Sequence, residues 1–539
     1  MVIIMLLFFK NKKRYVKSEI LFLSLILLLM LSACGNEDVD AEIELGEAET
    51  VAELAESTSG DYADASQTPA IDPVQEAEPE PEDTTEEPAQ PDITEPTEPE
   101  AESTEAPTVE ETPEVTQEPT HPITLPRDPA VLSKETLLAD FDYFTHTLED
   151  SFPFYGPVRR KFGVDLRAQT NSARTVVENL NTANSEAQIL RDFANILSGY
   201  VVTPMRTMGH MIGLWNGTST YNVQLAQIKW DGASETPWYP NLYARHLHDI
   251  FTSPTAIRYY GKPLEGIDID NFIQSNLFTP TADNVSFSIL QENSIAYIRM
   301  KTMNVGNYAS DGELIAAFAE TIGDFDHLII DLRGNTGGNT GNFTQYIMAP
   351  LIKEPATLGY YVFFKAGEHA LQFDDIYSRD VQWQVDNGLT LHTDAPRFSV
   401  GDILPSLTNA NAEDFASLKY GFKREITVTP SANQWAFDGK IWVLIDGRSY
   451  SAAEISAAIA KESGFATLVG EPTFGSFGGY TAAFINLPNT GIIIRYDYGY
   501  VTDLQGRSLE EYGITPHVTN RPGMDALSTA LALIAEGNY

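Results

Sequence analysis

An apolar run, Ile441 to Ile445, stops at Asp446-Gly447, and a stretch of small helix-forming residues begins almost at once at Ser451. Short, rich in β-branched residues and free of polar side chains, the run predicts a buried strand. Ser451 and Glu454 then form the S-x-x-E pattern of a helix N-terminus. A strand delivering directly into a helix points the chain toward an α/β fold. The serine falls at the positive end of the helix dipole, beside backbone N–H groups that lack helical partners. That position suits a nucleophile that attacks a carbonyl and must stabilise the oxyanion formed. The same two residues also make an ordinary capping box.

A second unit repeats the arrangement. Leu328 to Ile330 read as a buried strand that ends in Asp331, and a turn holding Gly334, Gly337 and Gly338 follows. Glycines there let backbone N–H groups approach a ligand closely, as an oxyanion or phosphate loop requires. No Gly-Lys-Ser/Thr follows, so the turn is not a P-loop. The core begins with a strand-like segment at 294–303. After the Asp331 unit comes an unreadable insertion at 345–435, then the Ser451 unit and a hairpin around Asn489-Thr490-Gly491.

D-L-R-G-N-T-G-G at 331–338, S-A-A-E at 451–454, G-E-P-T-F-G at 470–475 and L-E-x-x-G-I-x-P from Leu509 to Pro516 occur in one order over about 190 residues. Together they resemble the C-terminal-processing and tricorn-type serine peptidases, which include the tail-specific proteases. The resemblance covers roughly residues 130–539. It implies a ClpP/crotonase-like spiral of β-β-α units with Ser451 as nucleophile. One branch of the family uses a lysine base just after G-E-P-T-F-G, where this chain has Ser476, read either as a space-filling residue or as a hydroxyl in the catalytic network. Lys461, ten residues into the helix from Ser451, lies about 15 Å along its axis and is out of reach. The other branch uses histidine and glutamate, which implies His210 as base and Glu510 as its support, with oxyanion donors at Gly337, Gly338 and Ala452. Met208 stands where relatives carry the aspartate of D-G-H, and His517 where they carry the aspartate after G-I-x-P. Many relatives also carry a peptide-binding PDZ module, but residues 211–285 show no Gly-rich carboxylate loop and none is expected there.

The N-terminus predicts location. Lys10, Lys12, Lys13, Arg14 and Lys17 precede an apolar run from Ile20 to Leu31, and Leu31-Ser32-Ala33-Cys34 follows. This is the layout of a signal peptide over 1–34, and it resembles a bacterial lipobox in which Cys34 receives lipid. Cys34 is the only cysteine, so an intramolecular disulfide, a thiolate metal cluster and a cysteine protease are excluded. No HExxH pairing occurs, and no metal or cofactor is expected. Residues 35–126 hold 29 acidic residues, 13 prolines and no Lys or Arg, which predicts a disordered tether spanning roughly 50–60 Å or more. From Arg127 onward 46 acidic residues oppose 29 basic ones, a balance that argues against nucleic acid as a partner. The expected order is thus signal peptide, tether, a helical subdomain over 127–210, an unassigned region over 211–285 and a peptidase core over 286–539. Two functions fit: a membrane-anchored serine peptidase acting on proteins or peptides outside the cytoplasm, or a peptidase fold retained as a binding module.

Overall fold

The structure is a computed structural model that describes residues 132–537, apart from 207, 215–217, 231–241, 262–263, 265, 277 and 387–391. The expected signal peptide, Cys34 and the acidic tether lie outside the described residues.

The N-terminal part is helical: α1 (Lys134–Ser151), α2 (Tyr155–Phe162), α3 (Leu166–Glu178) and α4 (Glu186–Leu197). The Ser133 side chain caps α1 by accepting from the Thr136 amide, and Leu137, Phe141, Phe144 and Leu148 form its buried stripe. Phe152, forced out of helical geometry before Pro153, ends it in an extended conformation. Asp140, on the same buried face, accepts from the Asn489 and Thr490 amides at 2.9 and 2.7 Å. Through that contact α1 holds the turn of a hairpin whose far end reaches the site described below.

A short strand, β1 (Ile212–Gly213), is followed by α5 (Thr218–Trp230), α6 (Leu242–Phe251), α7 (Pro254–Tyr260) and α8 (Ile269–Asn276). Among the described residues this region is helical beyond β1.

The core sheet has six strands in the order β14 (Val518–Thr519), β10 (Thr467–Gly470), β9 (Lys440–Ile445), β4 (His327–Asp331), β3 (Ile295–Met300), β2 (Val285–Gln291). All neighbours run parallel except β2, an antiparallel edge strand. Parallel strands are covered on both faces, and β4 is buried at every residue. One face packs Leu328, Ile330, Val443 and Ile445 into the main core, among other residues. The other packs Ile329, Trp442 and Leu444 against Ala526, Ala530 and Leu533 of the C-terminal helix, Ala526–Glu536. The fold is therefore α/β, as the two strand-to-turn units predict.

The insertion at 345–435, unreadable in the sequence, builds β5 (Ala356–Phe364), a long helix (Glu368–Asp386), β6 (His392–Asp394), β7 (Phe398–Ser399) and β8 (Tyr420–Val428). Its sheet takes in β13 (Tyr500–Thr502) of the core. A third sheet joins β1 to the hairpin β11 (Ala482–Asn486) and β12 (Ile493–Asp497).

Candidate active site

The two units foreseen in the sequence meet at one edge of the core sheet. β4 and β9 are adjacent and parallel, with Asp331 opposite Leu444, so both strands release their loops on the same side. Ligand-binding loops of parallel sheets gather at that edge. The loops are tied together where the Gly334 amide donates to Asp446 Oδ1 at 2.8 Å.

Ser451 sits between β9 and the helix Ala452–Glu462 with φ 59° and ψ −126°. Such a backbone is costly for a residue with a side chain and persists only where the surroundings enforce it. A strained strand-to-helix turn is how a nucleophile is projected from the top of a sheet. Gly337, at φ 89°, lies directly against it: a Cβ there would come within 2.8 Å of Ser451 Cβ and of the Ala452 nitrogen. Gly338, at φ 132°, packs on the Met303 backbone instead. The Gly337 amide is engaged by Asn335 Oδ1 at 2.8 Å.

His210 arrives from the helical subdomain through β1. Ile212 pairs with Arg495 of β12 in antiparallel register. Two residues back on one strand and two forward on the other, the same register sets His210 opposite Asp497. The side chains meet there: His210 Nδ1 lies 2.6 Å from Asp497 Oδ2. Arg495 Nη1 donates to the His210 carbonyl at 2.7 Å, and Nη2 to Asp497 Oδ1 at 3.3 Å. Burial alone would raise the Asp497 pKa, but His210 and Arg495 hold it below the ordinary value. The other imidazole nitrogen, Nε2, faces Ser476 Oγ at 3.4 Å. Ser476 in turn stands beside Ser451, because its carbonyl accepts from the Ser451 amide at 3.1 Å.

Asp497 is the site residue that sequence reasoning missed. Glu510 is in the same cluster, but its Oε1 accepts from the Gly478 amide at 2.8 Å. Burial raises its pKa, and Asp497 raises it further. His210, Asp497 and Glu510 offer ligand atoms within 4.8 Å of one another, the one such group of three among the described residues. The Arg495 guanidinium on Asp497 competes with any cation placed there.

Glu454 does more than cap its helix. Fully buried, it accepts from the Gly475 and Ser476 amides, both at 2.8 Å, from the Ser451 amide at 3.3 Å and from the Thr473 hydroxyl. It thereby fastens the G-E-P-T-F-G turn to the helix that follows Ser451. Burial pushes its pKa up to about 7 against the lowering effect of those donors.

The departures from the family pattern have local reasons. Met208 is fully buried in the apolar core, where an aspartate would be desolvated. His517 is exposed and serves the sheet edge, accepting from the Leu468 amide through Nδ1 at 2.9 Å. Lys461 Nζ bonds Thr515 at the far end of the helix, away from Ser451.

A serine on a strained turn at a helix N-terminus, with an imidazole–carboxylate pair brought beside it, is the layout of a serine-type hydrolase. Residues 294–520 match the family model of peptidase family S41. Through this core the chain is similar to that family, and the match supports a serine-type peptidase acting on proteins or peptides. No match was found among curated proteins. Among solved structures, mature CPAF complexed with lactacystin aligns at 13% identity and TM-score 0.41, covering 75% of this chain and 98% of that one. A candidate peptidase from Parabacteroides merdae aligns at 15% identity and TM-score 0.39, covering 76% and 97%. The photosystem II D1 C-terminal processing protease aligns at 15% identity and TM-score 0.28, covering 48% and 54%.

Proposed function

We propose that this chain is a membrane-anchored endopeptidase of the extracytoplasmic face, with Ser451 as nucleophile, His210 as base and Asp497 as the carboxylate that orients the base. The observation that carries the reading is the β1–β12 register, which delivers the imidazole to Asp497 on one side and to the Ser451–Ser476 contact on the other. Asp497 fixes the tautomer with the proton on Nδ1, leaving Nε2 as acceptor. In acylation the Ser451 hydroxyl proton passes to Nε2, directly or through Ser476 Oγ, as Oγ bonds the substrate carbonyl carbon. The amides of Gly338 and Ala452 receive the resulting oxyanion, and Gly337 joins them if its N–H leaves Asn335. Collapse breaks the C–N bond, the imidazolium protonates the leaving amine, and water then hydrolyses the acyl-enzyme with His210 again as base. Glu510, a second carboxyl near the imidazole, supports its cationic state.

Location follows from the lipobox-like ending at Cys34 and the acidic tether, which would hold the domain away from the membrane surface. No helix among the described residues is long and apolar enough to cross a membrane. The experiment is to express the full chain and its Cys34→Ala, Ser451→Ala and His210→Gln variants and to follow fractionation and hydrolysis of an unstructured protein. Cys34→Ala should move to the soluble fraction, and the other two should lose hydrolysis by on the order of a thousandfold or more. Membrane retention of Cys34→Ala would overturn the anchor, and persistent hydrolysis by Ser451→Ala would overturn the nucleophile.

A further inference from the structure

The last turn of helix α2 carries Arg159, Arg160 and Lys161, which reach separate parts of the molecule. Arg159 Nη2 is 2.6 Å from Glu413, in an exposed pair. Arg160 bridges Asp414 of the insertion and Glu511, with Nε 2.9 Å and Nη2 2.7 Å from the Glu511 carboxylate. Lys161 does something different. Its ammonium takes the carbonyl oxygens of Phe474, of Gly475 at 3.3 Å and of Glu510 at 3.3 Å, and it lies 4.6 Å from the Phe474 ring centroid.

Those carbonyls belong to the two segments that set the surroundings of His210. Phe474-Gly475 leads into Ser476, which faces Nε2, and the third carbonyl is that of Glu510 itself. An ammonium presents three donors from one atom in diverging directions, which three converging carbonyls use in full. The planar guanidinium fork cannot reproduce that geometry. Gly475 makes the approach possible: at φ 82°, a Cβ there would lie 2.7 Å from Lys161 Nζ and 2.6 Å from the Glu510 oxygen.

We propose that Lys161 is a positioning residue of the peptidase reaction, clasping the Phe474–Gly475 turn to the Glu510 turn and so fixing Ser476 and Glu510 around His210. The inference rests on the peptidase reading above. It makes the helical subdomain, which supplies both His210 and Lys161, a structural condition for activity in the core.

The test compares the wild type with Lys161→Met, Lys161→Arg and, as a control on the same turn, Arg159→Gln, all in the full chain. Two quantities are read: covalent labelling by a fluorophosphonate, as its maximal rate and half-saturating probe concentration, and hydrogen exchange in segments 474–478 and 509–513. Lys161→Met should label about tenfold slower or worse. Its maximal labelling rate should carry the loss, with the half-saturating probe concentration within about threefold of wild type. Lys161→Arg should also label slowly, and Arg159→Gln should match the wild type. Exchange in both segments should rise about tenfold in Lys161→Met. Labelling within threefold of wild type, with exchange unmoved, would overturn the proposal. A wild type that does not label would remove the peptidase reading itself, and the clasp would then be judged on the exchange rates alone. If Lys161→Met does not fold, Lys161→Arg decides: wild-type labelling and exchange in that variant would refute the three-carbonyl geometry.

Discussion

His210 and Asp497, separated by 287 positions in the chain, meet with Nδ1 and Oδ2 2.6 Å apart. The pair is buried and braced by Arg495, while the second carboxyl of the cluster, Glu510, is directed at the Gly478 amide.

That arrangement ranks the two carboxylates. Asp497→Asn should lower hydrolysis by on the order of a thousandfold, because the amide presents the wrong partner to Nδ1. Glu510→Gln, which keeps an acceptor for Gly478, should lower it by about tenfold. Initial rates on an unstructured protein, with thermal unfolding as a control for folding, decide the order. A larger loss in Glu510→Gln would make Glu510 the orienting partner.

The glycine turn is tested by paired substitutions. Gly337→Ala would place a Cβ 2.8 Å from Ser451 Cβ at φ 89° and should both destabilise the fold and abolish activity. Gly334→Ala, at φ 70° with the nearest contact 3.7 Å away on exposed Arg448, should cost only the left-handed backbone, about 1–2 kcal/mol. Denaturant midpoints and hydrolysis rates measure both, and equal losses of activity would contradict a special role for Gly337.

How far the sequence led is clearest at this turn and at its partner. Strand, Ser451 and Gly337 were legible because each is a local pattern: an apolar run, an S-x-x-E step, clustered glycines. Asp497 was not, because nothing local distinguishes it within Arg495-Tyr496-Asp497-Tyr498; its role comes from pairing with a strand nearly three hundred residues earlier. Glu454 was legible only as a helix cap, since its other donors come from the 473–476 turn. Lys161 was invisible for the same reason, its acceptors being backbone oxygens that carry no side-chain signature. The insertion gave no motif because its contribution is a sheet that pairs with β13, a packing relationship without chemistry.

Glu454 predicts a pH dependence. Its ordinary pKa of 4.5 rises to about 7 in the fold. Between those values the folded chain holds a proton that the unfolded chain releases. The associated stability is therefore fully present below pH 4.5 and is lost as pH rises through 7, by roughly 3 kcal/mol. Glu454→Gln lacks this titration, so the stability of the wild type relative to the variant should fall between pH 5 and pH 8. Chemical denaturation at a series of pH values measures it, and a constant difference would refute the assignment. Ionised Glu454 is also the form that accepts from the Gly475, Ser476 and Ser451 amides, so wild-type activity should rise through the same range.

Ser476 faces Nε2 at 3.4 Å but does not occupy the strained turn. Ser476→Ala should retain hydrolysis within about tenfold of wild type if the hydroxyl relays or merely lines the imidazole. Complete loss of activity with the fold intact would make the relay obligatory. Gain of activity in Ser476→Lys over an inert wild type would instead identify a degenerate lysine-type site.

The central claim is that Ser451 is a nucleophile activated by His210 within a closed site. Its most direct test is mass spectrometry of the full chain after reaction with a fluorophosphonate. The account predicts one adduct per chain, on the peptide containing Ser451, absent in Ser451→Ala and strongly slowed in His210→Gln. Because Ser451 is fully buried, the labelling rate should also saturate with probe concentration as opening of the site becomes limiting. An adduct on Ser476, or no adduct on folded wild-type protein, would contradict it.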